Sequence, residues 1–334
     1  MGLIKSLIKR WRQVFSLTLI GFQPAVYAAK VVVIESYHQG YMWDKQYYQA
    51  ILDTLAPENE VTHFEMDTKR LPKNQHPKRA DLAWQFIQQQ QPELVILADD
   101  NAVNYLHQRL NASQIPVVYL GINMNPREYH LNEYKNFTGV LERPLLRRSL
   151  LLLQRILPPT KHRKILVLFD QSDTSKLAAE YISKQQLSML SDVEVEILQL
   201  KQLDEWRKQV LQAKGNGFSA IVIALYHAVR DDQDQSVNAE DLLKWISTNT
   251  PVPNFGFWGF SIYNEGNVGG YVLDGYQHGK IAAKMALRIL EGEKPEDIFP
   301  VTDDVGQFMF SRKGLKKWHL NLPTEIEKQT SWVE

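Results

Sequence analysis

The chain has 334 residues, of which 44% are apolar and 23% charged, and its basic and acidic residues are equal in number. This composition is typical of a globular protein large enough for two domains, and it excludes a disordered or repetitive chain. Because the sequence contains no cysteine, we expect no disulfide, no thiol catalysis and no lipid-modified cysteine.

Residues 1–28 have the pattern of a secretory signal peptide. A short apolar run at residues 14–22 and a small-residue cleavage position at Ala28 follow four basic residues, Lys5, Lys9, Arg10 and Arg12. The run is short for a transmembrane helix, and an uncleaved N-terminal anchor is the alternative. Cleavage leaves 34 basic and 38 acidic residues, and this net charge of −4 argues against binding to nucleic acid or to an anionic membrane. We therefore expect a free periplasmic protein of a two-membrane bacterium.

Strands and helices alternate through the first half of the remaining chain. The continuous β-branched run at residues 30–36 is typical of a strand buried on both faces of a parallel sheet. Further strands are predicted at residues 61–66, 94–98 and 116–120, and helices at 45–55, 80–90 and up to Leu110. The proline-containing stretch 69–78 is predicted as a loop. Four repeats of strand and helix predict a doubly wound sheet.

A second unit of the same kind follows a leucine-rich helix that ends near Leu157. Its strands are predicted at residues 164–169, 193–198 and 220–225, and its helices at 205–213, 239–248 and directly after residues 170–175. A strand that ends at Leu273 then leads into a helix, which Gly292 and Pro295 terminate. The tail is predicted as a strand at 305–310 and a helix at 311–318.

Three segments resemble ABC transporter substrate-binding proteins of the type I periplasmic binding protein fold, particularly the subfamily that binds tryptophan and related aromatic amino acids. They are FTGVLERP (137–144), DQSD (170–173) and ILEGEKPEDIFPV (289–301). The resemblance implies an α/β clamshell of two doubly wound parallel-sheet lobes joined by a multi-crossover hinge. Lobe 1 would comprise residues 29–141 plus 273–296, and lobe 2 residues 142–272 plus 297–334. Gly275 would lie in the hinge.

Ligands of open parallel sheets bind beyond the carboxyl ends of the strands, where helix N-termini and loops converge. In both lobes this rule selects the candidate ligand-binding residues, which are strongly aromatic: Ser36, Tyr37, His38, Tyr41, Trp43, Asp99, Asp100, Asn101, Asn123, Asp170, Gln171, Ser172, Thr174, Tyr226, His227 and Trp258. Phe260 lies in the same region.

This set predicts a cleft for a small polar or aromatic solute, such as an amino acid. Aromatic faces stack on a flat ligand, and Asp99 or Asp100 accepts hydrogen bonds from an ammonium group or from sugar hydroxyls. No arginine follows any of these strands, so residues 172–175 at a helix start are the expected donors to a ligand carboxylate.

Structural roles are the alternatives at each position. The aromatic loop 37–43 could pack on its own lobe, and the Asp99–Asp100 pair could cap the following helix. His38, His227 and Trp258 could be satisfied packing residues. The acidic stretch 231–234 lacks EF-hand spacing and is predicted as a solvated turn.

The sequence shows no HExxH, GxSxG, Walker A or GxGxxG motif and no metal-ligand spacing, so we expect no enzyme, no metal and no cofactor. The leading hypothesis is a monomeric periplasmic solute-binding protein that closes about a hinge and delivers its solute to an ABC permease. The alternative is a periplasmic sensor that signals to a membrane kinase or cyclase. A periplasmic hydrolase is the third.

Overall fold

The computed structural model of the protein describes residues 28–185 and 192–334. The predicted signal peptide therefore lies outside the described residues, except for Ala28. No helix in the described part of the chain is both long enough and apolar enough to cross a membrane.

The first lobe is built on a six-stranded sheet. Its strands are β1 (Lys30–Glu35), β2 (Glu60–Glu65), β3 (Leu94–Ala98), β4 (Val117–Ile122), β5 (Phe137–Glu142) and β11 (Val301–Asp303). They are all parallel and lie in the order β11-β5-β4-β3-β1-β2. The sheet confirms the prediction of a doubly wound lobe.

Helices cover both faces of this sheet. They are α1 (Met42–Leu55), α2 (His76–Gln90), α3 (Asp99–Ser113) and α8 (Gly275–Leu290). Alternate side chains of β1 explain the two layers, because successive residues of a strand point to opposite faces. Val31 and Val33 pack with α1 and α8, whereas Val32 and Ile34 pack with α2 and α3. All four are fully buried, so the unbroken β-branched run marks a strand covered on both sides.

The second lobe contains a parallel four-stranded sheet and a smaller three-stranded sheet. The four-stranded sheet contains β6 (Arg163–Phe169), β7 (Val193–Gln199), β8 (Phe218–Ile223) and β9 (Asn254–Gly256). The three-stranded sheet contains β10 (Gly269–Val272), β12 (Gln307–Ser311) and β13 (Ser331–Val333). The orders are β7-β6-β8-β9 and β10-β12-β13. The helices of this lobe are α4 (Leu146–Ile156), α5 (Asp173–Ser183), α6 (Leu203–Gln212), α7 (Ala239–Asn249), α9 (Arg312–Lys317) and α10 (Thr324–Glu327).

The chain passes between the lobes three times: after β5, between β10 and α8, and after β11. The predicted last crossing, at residues 296–297, differs from the structure. Val301–Asp303 pairs with β5 in the first lobe, so that crossing follows Asp303. The sequence offered no cue for this short edge strand, because two of its three residues are exposed.

Gly275, which the resemblance placed in the hinge, is a packing residue. It begins α8 against α1, and a Cβ added to it would lie 3.0 Å from the carbonyl oxygen of Trp43. Its backbone is not in the left-handed region, which only Gly121, Gly217 and Gly292 adopt among the described glycines. A side chain at Gly275 would therefore disturb the contact between two helices of the first lobe.

Candidate functional site

The carboxyl ends of the two parallel sheets face each other across a cleft. A cavity of about 400 Å³ occupies it, and both lobes supply its lining. The lining residues include Tyr37, Thr68, Lys69, Lys73 and Asn101 from the first lobe, and Gln171, Ser172, Asp173, Thr174, Lys201 and Arg230 from the second. Some of these residues were predicted because they follow the carboxyl ends of strands, and the other lining residues were not predicted.

Aromatic rings from the two lobes meet beside the cavity. Tyr37 and Tyr41 follow β1, and their rings are 5.5 Å apart in an edge-to-face arrangement. The Tyr41 ring lies 4.5 Å from His227 and 5.3 Å from Phe260, both in the second lobe. Edge-to-face pairs at these distances are favourable beyond the area that they bury. The predicted aromatic character of the cleft is thus present in a cluster that spans both lobes.

Lys69 contributes a cation to this cluster. Its side chain is buried, and its Nζ lies 4.1 Å from the centre of the Tyr37 ring and 4.7 Å from that of Tyr41. No carboxylate of the described residues forms an ion pair with it. A desolvated ammonium that lies over ring faces and makes no direct ion pair has free hydrogen-bonding capacity, because it carries three donors. Lys69 is therefore able to bind an anionic group in the cavity.

The start of α5 forms the opposite wall. Ser172 caps the helix by accepting a hydrogen bond from the Ser175 amide, and Thr174 Oγ1 lies 2.7 Å from Tyr37 Oη. Asp170 accepts hydrogen bonds from the amides of Ser172 and Ala228. Burial alone would raise the pKa of Asp170, but Lys69 and these donors hold that pKa below its ordinary value. Asp170 is thus ionised, and its hydrogen bonds fix the backbone that forms this wall.

Three buried carboxylic acids lie on the first-lobe side of the aromatic cluster. Burial, with the nearby charge of Glu142, raises the pKa of Asp99 well above its ordinary value, and burial likewise raises that of Asp44. The pKa of Glu142 is raised to about 8, also by burial. Asp99 Oδ2 and both carboxyl oxygens of Asp44 have no hydrogen-bond partner in the part of the chain that the structure describes. These acids offer acceptors that a cationic group would satisfy.

Other predicted residues of the first lobe are engaged in its architecture. Ser36 donates to the carbonyl of Ala98 and accepts from the amide of Ala102. Asp100 accepts from the amides of Asn123 and Met124, which follow β4, and burial raises its pKa to about 6. Two further predicted residues also make hydrogen bonds within this lobe. Asn101 donates to Thr68 Oγ1, and Asn123 donates to the Gly121 carbonyl.

The two predicted tryptophans are interior residues. Trp43 is 2% exposed and packs within the first lobe, with its ring 5.2 Å from that of His278. Trp258 is 1% exposed, and its indole N–H donates to Glu142 Oε1 at 2.6 Å across the lobe boundary. Since its only donor is already used, Trp258 stabilises the crossing between the lobes.

Of the remaining predicted residues, Gln171 lines the cavity, whereas Tyr226, His227 and His38 do not. His227 lies against Tyr226 at 4.3 Å, and burial with the nearby Lys69 cation lowers the His227 pKa to about 3. His227 is therefore neutral. Burial also lowers the pKa of half-buried His38. Gln171 is exposed and donates to the carbonyl of Gln199.

Lys69 and Thr68 were missed by the sequence analysis. Both follow β2, so the rule that selected residues after the other strands would have selected them as well. The prolines of residues 69–78 predicted a loop, and no ligand-binding residue was predicted within it. Thr68 donates to the Ser36 carbonyl, and this bond fixes the start of that loop beside β1.

A family model described as ABC transporter substrate binding protein matches residues 45–333. Among solved structures, an ABC domain in complex with L-Trp from Streptococcus pneumonia is 16% identical, covers 92% of this chain and all of that one, and has a TM-score of 0.68. A conserved domain protein from Vibrio cholerae is 17% identical over 92% of this chain and all of that one, with a TM-score of 0.69. The ligand-free, open structure of a Clostridium difficile substrate-binding protein is 14% identical over 92% and 99% of the two chains, with a TM-score of 0.64. Curated proteins give no match.

Proposed function

Because the chain belongs to the family of ABC transporter substrate-binding proteins, we propose that it captures an amino-acid-like solute with an aromatic side chain and delivers it to an ABC permease. Substrate-binding proteins of ABC transporters bind solutes outside the cytoplasm, in the periplasm or at the cell surface. The periplasmic site, the importer and the solute class are our proposals. The observation that carries the solute class is the unpaired Lys69 cation over the Tyr37 and Tyr41 rings.

A ligand carboxylate would bind at Lys69 and the start of α5. Lys69 makes no direct ion pair with a carboxylate of the described residues and acts on Asp170 from a greater distance, and Thr174 supplies a hydroxyl on the facing wall. Charge-assisted hydrogen bonds of this kind are stronger than neutral ones, particularly when water is excluded. The N-terminus of α5 adds a favourable dipole for an anion.

A ligand ammonium would bind on the side of Asp99, a buried neighbour of Tyr37 that does not itself line the cavity. Its Oδ2 is buried without a partner, and its charge raises the pKa of the neighbouring Tyr37, after the larger effect of burial. A bound cation would favour the ionised form of Asp99, and so it would offset the cost of burying this acid. Lys69 and Asp99 together thus define a pair of opposite charges that suits a zwitterion.

An aromatic side chain of the ligand would contact Tyr37, Tyr41 and Phe260. These rings already pack edge to face across the cleft, so a flat group placed among them would gain further contacts of the same kind. The lobes also touch at the cleft mouth, where Lys73 Nζ lies 2.8 Å from Asp173 Oδ2. Ligand contacts made by both lobes would favour this closed arrangement.

The first experiment is a thermal-shift screen of residues 29–334 against amino acids, sugars, nucleosides and polyamines, followed by calorimetry with the best ligand. Binding to the native state alone raises the melting temperature, and stabilises by about 2.7 kcal/mol at a hundredfold excess over Kd. We expect the largest shift with an aromatic amino acid. Shifts with sugars or polyamines alone would contradict the zwitterion assignment.

Lys69→Gln tests the anion site directly. Loss of a charge-assisted hydrogen bond should weaken binding by about 1.5–3 kcal/mol, or roughly 10–100-fold. Lys164→Gln is the matched control, because Lys164 also lies over an aromatic ring, 4.5 Å from the centre of Phe218, but at the opposite end of the second-lobe sheet. Equal affinity in both variants would argue against a role for Lys69.

A further inference from the structure

Three metal-binding side chains lie together at the edge of the first-lobe sheet, away from the α5 wall of the cleft. Glu35 ends β1 and Glu65 ends β2, and the parallel register pairs these two residues directly. His63 precedes Glu65 by two positions, so it points to the same face of β2. One donor atom from each of the three residues lies within 4.8 Å of the others.

Glu35 has the environment of an incompletely satisfied ligand. Its side chain is 0% exposed, and Oε2 has no hydrogen-bond partner within residues 28–185 and 192–334. Its Oε1 lies 3.1 Å from His63 Nδ1 and accepts a hydrogen bond of 2.6 Å from Gln39 Nε2. A buried carboxylate oxygen without a partner is costly, and a metal ion is one of the groups that offsets this cost.

The other two residues leave a path for an ion from solvent. His63 is 36% exposed at its side chain, and Glu65 is half-buried. The ring of Tyr48 stacks on that of His63 at 4.6 Å and fixes its orientation. Among the described residues, neither Glu35 nor Glu65 forms an ion pair with lysine or arginine. The two carboxylates are therefore not neutralised by a direct ion pair with either of these cations.

We propose that Glu35, His63 and Glu65 bind a divalent first-row transition metal ion, with Zn²⁺ the best match. One imidazole nitrogen and two carboxylate oxygens form a donor set that suits Zn²⁺, with water in the fourth position. Metal–ligand bonds of about 2.0–2.2 Å in a tetrahedral site place the donor atoms about 3.4 Å apart. The three donor atoms must therefore approach one another by about 1 Å when the ion binds. The half-buried Glu65 has the freedom to make this adjustment.

The metal site is joined to the cleft through Gln39. The Gln39 amide N–H donates to Glu65 Oε1 at 3.0 Å, while its side chain holds Glu35. Gln39 belongs to the loop that carries Tyr37 and Tyr41. A metal ion would compete with Gln39 for the carboxylate oxygens, and so it would act on the loop that presents the aromatic side chains.

The test is calorimetry of the purified, EDTA-treated and dialysed chain with ZnCl₂, repeated with CoCl₂ and read by visible absorption. We expect one equivalent to bind, with a Co²⁺ spectrum of a four- or five-coordinate site. His63→Ala and Glu65→Gln should each weaken this binding at least about 100-fold, since each removes a direct ligand and outer-sphere partners alone account for 10–100-fold.

One control variant and the conservative nature of one test variant make the test decisive. His162→Ala removes another histidine that pairs with a glutamate, Glu194 at 3.3 Å, on the outside of the second lobe, and it should bind as the wild type does. Glu65→Gln keeps an oxygen acceptor for the Gln39 amide, so its loss of metal binding is not explained by loss of folding. No uptake by the wild type, or equal uptake by all the variants, would overturn the proposal.

Discussion

Tyr37 Oη and Thr174 Oγ1 lie 2.7 Å apart, and the hydrogen bond between them joins the first lobe to the second. Both side chains are buried, and each follows a strand at the edge where the sheets face each other. The bond exists only while the lobes are in contact. It therefore contributes to the contact between the lobes and not to the stability of either lobe.

Tyr37→Phe should reduce solute affinity without unfolding the protein. The ring remains, but the closed form loses a net hydrogen-bond contribution of about 0.5–1.5 kcal/mol, which corresponds to roughly 2–12-fold weaker binding. Calorimetry with the solute found in the screen measures this change. Tyr276→Phe is the control, because its hydroxyl bonds to Asp53 within the first lobe, 2.9 Å away. A larger loss in Tyr276→Phe than in Tyr37→Phe would refute the interlobe role.

Gly279→Ala should destabilise the first lobe. A Cβ at this position would lie 2.4 Å from the carbonyl oxygen of Tyr47, which is backbone of α1 and has no freedom to move aside. Overpacking of this kind costs about 1–3 kcal/mol, more than alanine gains in helix propensity. Urea unfolding measures the change.

Gly215→Ala is the matched substitution for that experiment. Its new Cβ would lie 3.5 Å from the nearest atom, the carbonyl oxygen of Gln212, which is an ordinary contact. We expect it to alter the free energy of unfolding by less than about 0.5 kcal/mol. Similar losses in both variants would show that the α1–α8 contact is not tight at Gly279.

Glu142 should make stability fall with rising pH. Its pKa is raised from 4.5 to about 8 by burial, so the folded state holds a proton that the unfolded state releases. Between these values the unfolded state binds fewer protons, and stability decreases by up to about 1.4 kcal/mol for each pH unit. Above pH 8 the loss is complete.

Glu142→Gln should remove this contribution while keeping an acceptor for the Trp258 indole. The melting temperature of the variant should therefore exceed that of the wild type at pH 7.5 by more than at pH 4.5. For Glu58→Gln, at an exposed position, the difference in melting temperature from the wild type should be the same at both pH values. If the difference in melting temperature between Glu142→Gln and the wild type is the same at both pH values, the raised pKa of Glu142 is contradicted.

Trp43→Ala should destabilise the protein strongly, because the side chain is buried between α1 and α8. The expected cost is about 3–5 kcal/mol, the range for truncating a large aromatic core residue. Trp84→Ala truncates a partly buried tryptophan of α2 in the same lobe and should cost less. Chemical unfolding of the two variants compares them, and an equal or smaller cost at Trp43 would place its side chain outside the core.

Local sequence patterns predicted most of the fold. The apolar runs of β1, β3 and β8 predicted these strands to within two residues at each end, because strands buried on both faces need continuous apolar side chains. The start of α2 was placed four residues late. Pro77 favours a loop in the sequence, but proline is tolerated in the first turn of a helix, where its missing N–H has no partner to lose.

The site was predicted less completely, because the sequence does not show where a side chain points at a strand end. Ser36 and Tyr37 are neighbours, yet the first bonds to its own lobe and the second reaches Thr174. The three possible metal ligands come from two strands, and only the register of β1 against β2 brings Glu35 beside Glu65. No spacing along the chain reveals that contact.

The late position of β11 and α8 in the chain sets an order for folding during synthesis. The four-stranded sheet of the second lobe is formed from residues 163–256, so all its strands have been made by that point. The first lobe begins earlier but lacks α8, which covers the Val31 and Val33 face, until residue 290 has been added. The four-stranded sheet of the second lobe therefore has all its strands before the first lobe has its last helix, and the part of the first-lobe face that α8 covers stays exposed on the nascent chain until then.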